Sequence, residues 1–66
     1  MPAVRVSMLP GRSAEQKAKL VEKILEGFAE IGVSADAVTT VFEEVDAGDW
    51  YVADESIADK RKKSGS

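Results

Sequence analysis

Residues 13–32, SAEQKAKLVEKILEGFAEIG, decide the fold. Ser13 stands three residues ahead of Gln16, the spacing of a capping box. In that motif the serine hydroxyl accepts from the Gln16 N–H and the glutamine side chain reaches back. Leu20, Val21, Ile24, Leu25, Phe28 and Ile31 then recur in steps of three and four, which makes one apolar stripe. Glu15, Lys19, Glu22, Lys23, Glu26 and Glu30 cover the other side. Glu15–Lys19 is a supportive i,i+4 pair and Lys19–Lys23 a mildly repulsive one. Gly32 follows as a residue able to close the helix. The pattern predicts one long amphipathic helix.

Working outward, residues 3–9, AVRVSML, alternate: Val4, Val6 and Met8 face one way, Arg5, Ser7 and Leu9 the other. This predicts a strand with one apolar face, broken by Pro10-Gly11. Beyond the helix, residues 38–45, VTTVFEEV, read as a second strand rich in β-branched side chains. Strand, helix and strand in so short a chain predict an α/β (α+β) fold, a right-handed βαβ unit with parallel strands. The helix covers one sheet face and leaves the other bare. Two strands make a poor sheet in water, so copies of the chain are expected to join sheets by oligomerisation. Residues 46–49, DAGD, read as a turn, Trp50-Tyr51-Val52 as a short strand or hairpin arm, and 53–59 as one or two helical turns. No repeat, linker or second domain shows; the expected division is a domain over 1–59 and a basic, solvated tail over 60–66.

The chain has 66 residues, no cysteine and no histidine, and is 44% hydrophobic. No disulfide and no nitrogen or sulfur metal site can staple so small a core, which again favours association. A net charge of −3 argues against nucleic acid as a partner. The run Lys60-Arg61-Lys62-Lys63 has no aromatic residue interleaved and reads as solvated. No apolar run approaches the roughly 20 residues that span a bilayer, and no secretory signal pattern opens the chain. A cytoplasmic protein without a membrane partner is expected.

With these elements placed, the sequence resembles the 4-oxalocrotonate tautomerase family. The resemblance rests on Pro2 directly after the initiating methionine, Gly11-Arg12-Ser13 after the first strand, Glu15-Gln16-Lys17 opening the helix, and Gly48-Asp49-Trp50. It covers about residues 2–55. It implies a βαβ subunit that dimerises and assembles, most often as a hexamer. It also implies an isomerase that works without a cofactor on small-molecule carboxylate substrates, moving a proton in enols or unsaturated oxo acids. Its base would be the amino-terminal proline, freed when Met1 is removed.

The residues themselves suit that chemistry. A freed Pro2 would present a secondary amine on a rigid ring. An α-amino group has a reference pKa of roughly 7.7–8.0, and an apolar pocket or a nearby cation lowers it, leaving a free base at neutral pH. With Met1 attached, the same nitrogen is an amide without basicity. Arg12 can grip a carboxylate in bidentate fashion and stabilise a dienolate-like transition state. Pro2 and Leu9 stand about 23 Å apart along one strand. If Pro2 and Arg12 share a site, Arg12 therefore comes from another subunit whose first strand runs antiparallel. Trp50 occupies the family's aromatic position, as an apolar wall against the substrate. Thr39 stands where better-known members carry a second arginine. The resemblance then implies a monoacid, or a substrate held differently, with the Thr39 hydroxyl as a single donor. Asp54 and Glu55 read as exposed turn carboxylates. Hydratase, dehalogenase-like or decarboxylase chemistry on the same scaffold is the alternative enzyme class. A non-catalytic oligomeric relative is the other.

Overall fold

Main-chain hydrogen bonds join Ala3–Met8 (β1) and Thr39–Glu44 (β2) in parallel, with Ala3 opposite Thr39 and Met8 opposite Glu44. Both ends of the ladder are closed. The Thr39 N–H donates to the Pro2 carbonyl at 3.1 Å, and the Val45 N–H donates to the Met8 carbonyl at 2.8 Å. The computed structural model describes residues 1–65.

Between the strands runs α1, Ala14–Glu30, and its ends are set by the residues the sequence points to. Ser13 Oγ accepts from the Gln16 N–H at 3.1 Å, and the Ser13 N–H donates to Gln16 Oε1 at 2.9 Å. At the other end the Val33 N–H bonds the Phe28 carbonyl and the Gly32 N–H bonds the Ala29 carbonyl. That pair of bonds is a Schellman cap, and it requires the left-handed φ of +85° that Gly32 adopts. On the exposed side the ion pair formed is Lys23–Glu26, at 3.1 Å.

The alternation in β1 is realised: Val4, Val6 and Met8 are half-buried while Ala3, Arg5 and Ser7 are exposed. Thr40 and Phe42 of β2 are half-buried on the same side. Lys17 of α1 identifies that side, since its ammonium bonds Glu44 Oε2 at 3.0 Å and lies 5.7 Å from the Phe42 ring centre. On the opposite face Arg5 pairs with Glu43 at 3.1 Å, and Val41 is 45% exposed. Of the helical stripe, Val21, Ile24, Leu25 and Phe28 are half-buried, but Leu20 and Ile31 stay exposed.

After a 3₁₀ turn at Ala47–Asp49, β3 (Tyr51–Val52) and β4 (Glu55–Ser56) form an antiparallel hairpin. The helical turns expected from residue 53 therefore start later. Ala53-Asp54 is a two-residue loop, and α2 runs Ile57–Gly65. Ser56 explains the shift. It is buried, and its Oγ accepts from the Asp59 N–H at 3.2 Å, the role of a helix N-cap. Lys60–Lys63, read from the sequence as the start of a tail, lie within α2, and Lys63 pairs with Glu55 at 2.6 Å.

Among the described residues no apolar side chain is fully buried. The radius of gyration is 15.6 Å, against about 11 Å for a compact chain of this length. The hairpin and α2 extend away from the sheet, giving extents of 47 × 24 × 16 Å. No helix among the described residues is long and apolar enough to cross a membrane.

Candidate active site

The residues singled out from the sequence divide between the two ends of the βαβ unit. Pro2 and Thr39 lie together at the start of the strands, joined by the bond from the Thr39 amide to the Pro2 carbonyl. Pro2 is half-buried and Thr39 exposed. The order of the strands dictates this pairing, because parallel strands bring both N-terminal ends to one edge.

Arg12 and Trp50 lie at the other end. The chain leaves β1 through Leu9 and Pro10, turns at Gly11 with a φ of +125°, and delivers Arg12 just before the helix cap. Trp50 follows the 3₁₀ turn that ends β2, and the Ile57 N–H bonds its carbonyl at 2.8 Å. Between them is a hollow of about 590 Å³, whose walls are residues 8–12, Trp50, Ile57 and Arg61. Arg12 also borders a smaller recess of about 260 Å³ toward Gln16, Lys17 and Leu20. The larger hollow combines an apolar floor, an indole and two guanidinium groups, with no carboxylate in its lining among the described residues. Such a surface suits a small anionic molecule with a flat apolar body.

Arg61 is the residue the sequence reading left outside the site. The sequence pattern assigns it to the basic stretch over 60–66, apart from the elements that carry the other site residues. A signal was available: Ile57 and Arg61 are four residues apart and so share one face of a helix. It becomes usable only once α2 is known to begin at Ile57. Asp54 and Glu55, by contrast, do not reach this hollow. Asp54 is in the exposed hairpin loop, and Glu55 is tied to Lys63. Within one chain, then, the structure brings Arg12, Trp50 and Arg61 together and leaves Pro2 and Thr39 at the far end.

This strand order, helix placement and hairpin recur in known proteins. A 4-oxalocrotonate tautomerase isozyme from Methylibium petroleiphilum superposes with a TM-score of 0.88 at 27% identity, covering 94% of this chain and 98% of that one. A heterohexamer 4-oxalocrotonate tautomerase from Chloroflexus aurantiacus matches with a TM-score of 0.78 at 36% identity, over 88% and 95% of the two chains. The fold is thus that of the 4-oxalocrotonate tautomerases. In sequence, the 2-hydroxymuconate tautomerase of Bacillus subtilis is 40% identical over 60 residues, which is 89% of this chain and 97% of that protein. The family model described as tautomerase enzyme matches residues 2–60. The chain belongs to the tautomerase family and is an isomerase-type enzyme.

Proposed function

We propose that this protein moves a proton between positions of an enol or unsaturated oxo acid, with the amine of Pro2 as base and acid once Met1 is removed. The observation that carries this reading is the split between the ends of the βαβ unit. Pro2 and Thr39 form one half of a site, and Arg12 and Trp50 the other. Two copies with antiparallel first strands join opposite halves, and each junction then holds one proline and one arginine.

The proton balance closes on Pro2. Its nitrogen lone pair takes a proton from the enol hydroxyl or allylic carbon of the substrate. The electron pair left behind shifts along the conjugated chain, and the resulting ammonium returns a proton to another carbon. Arg12 holds a carboxylate and draws charge toward the carbonyl end, a stabilisation that grows as the dienolate forms. Trp50 excludes water and presses on the flat substrate, keeping the Pro2 amine in its neutral form. The Thr39 hydroxyl offers one hydrogen bond from the proline side.

Association follows from the same structure. The bare sheet face with Val41, the hairpin with Tyr51 and Val52, and the protruding Ile31 all expose apolar surface. With no apolar side chain fully buried among the described residues, the single chain lacks the core to stand alone. A dimer-based assembly, up to a hexamer, both covers this surface and completes the sites. The test is turnover of 2-hydroxymuconate, followed by ultraviolet absorbance, alongside intact mass. Loss of Met1 with activity abolished in Pro2→Ala supports the reading. Retained Met1, or activity that survives Pro2→Ala, overturns it.

A further inference from the structure

Gly27 stands inside α1, where a glycine weakens the helix relative to alanine. Nothing in the single chain requires it, since a Cβ placed there meets no atom within 4 Å. The residues that share its line of the helix are the stripe members the fold leaves uncovered: Leu20 is 39% exposed and Ile31 73%. With the half-buried Ile24 they run 20, 24, 27, 31, in steps of four, three and four. That is the spacing of a seam between two helices, and a small residue in such a seam lets the backbones approach closely.

The seam overhangs the free edge of β1. Lys17 leans toward β2 through Glu44 and Phe42, whereas Gln16 and Leu20 border a recess with Met8 of β1. The helix runs antiparallel to both strands. From Leu20 to the midpoint of the seam, between Ile24 and Gly27, is about 8 Å of helix, or about two and a half residues of strand. Counted back from Met8, that point lies over Arg5 and Val6, the middle of β1. One two-fold axis can therefore relate both the first strands and the helices of two copies. It sets Ile24 against the partner's Gly27, large against small, and Leu20 against the partner's Ile31. It also brings Lys23 beside the partner's Glu30, once on each side of the axis. Within the chain Lys23 meets Glu26 in an exposed pair, which is of little worth and easily exchanged. A parallel arrangement would instead set Lys23 against the partner's Lys23.

From this we infer that α1 carries a self-recognition seam, in which Gly27 admits the helix of a second copy and the Lys23–Glu30 charge pattern selects that copy and its direction. The inference rests on the antiparallel joining of first strands proposed above, and adds to it what decides which chain is accepted as partner. A chain with a bulky side chain at this position, or with either charge reversed, is a poor partner.

The test is sedimentation of the whole chain over a dilution series, with native mass spectrometry for mixtures. Gly27→Leu should weaken assembly by about tenfold or more, the effect of overpacking a close contact. The single chain alone gives the opposite expectation, because leucine is the better helix former and a Cβ there meets nothing. Lys23→Glu and Glu30→Lys each set like charges across the seam, so each variant by itself should assemble several-fold more weakly. An equimolar mixture of the two, one of them isotope-labelled, regains opposite charges on both sides of the axis. It should form mixed pairs in preference to like pairs, and about 0.5 M salt should erase that preference. Gly27→Leu assembling as the wild type does, or random mixing of the two charge variants at low salt, overturns the seam and leaves the joined strands standing. A wild type that stays monomeric throughout the series overturns both, and the Pro2→Ala turnover assay judges the base apart from either.

Discussion

The amide of Thr39 donates to the carbonyl of Pro2 at 3.1 Å, which fixes the residue ahead of β1 through its main chain and not its ring. That anchor survives any substitution at position 2. Pro2→Ala should therefore leave secondary structure and assembly unchanged by circular dichroism and light scattering. Turnover should fall about 10²- to 10⁴-fold, the usual contribution of a general acid–base. The pH profile carries a second check. A base works when unprotonated, so the wild-type rate should rise with pH through the pKa of the freed amine. A rate that falls over that range would mean Pro2 acts as an acid.

Arg12 makes no ion pair among the described residues, so its removal costs the fold little. Arg12→Ala should raise KM for a carboxylate substrate by about 10- to 100-fold, matching a lost charge-assisted contact worth about 1.5–3 kcal/mol. Thermal stability should change by less than about 0.5 kcal/mol, as for an exposed side chain away from packing. Steady-state kinetics beside a melting curve separates the two effects.

With no apolar side chain fully buried among the described residues of the single chain, stability should depend on concentration. The melting temperature should climb as protein concentration increases. Val41→Asp, placed on the bare sheet face beside the Arg5–Glu43 pair, should lower both the assembly mass and the melting temperature. Sedimentation across a dilution series reads this directly. A monodisperse monomer that melts at the same temperature at every concentration would contradict it.

Ala53 holds a φ of +57°, the one non-glycine residue with positive φ among those described. It opens a two-residue hairpin loop, where glycine is the favoured residue if only the first loop position has positive φ. Ala53→Gly should stabilise the hairpin by up to about 1 kcal/mol, since left-handed φ costs an L-residue roughly 1–2 kcal/mol and glycine's extra unfolded-state entropy returns part of that. Gly32→Ala, at φ +85°, should destabilise by a similar amount, although a Cβ there would meet no neighbour within 4 Å. Denaturant midpoints measure both.

These positions also show which parts of the fold can be read from residues alone. Ser13, Gln16 and Gly32 act locally, so their sequence spacing already contains the geometry that the structure shows. The alternation of Val4, Val6 and Met8 is equally local. The C-terminal region is different. Its two strands are only two residues each, too short for alternation to register, and Ala53 occupies a loop position that glycine would have announced. Without the hairpin the start of α2 is invisible, and with it the face that carries Arg61. Pro2, Arg12 and Trp50 were legible through the family motifs; how the chain distributes them between two ends needed only the length of β1.

The separation of Pro2 from Arg12 along β1 also bears on how such a gene can diverge. A copy damaged at one end keeps its other end intact. After duplication, one paralogue can shed its proline and another its arginine, and on the proposed shared-site reading a heterodimer of the two still carries one whole site of its two. Selection then acts on the pair of genes together, and each end of the strand can drift toward a new ligand without silencing the assembly.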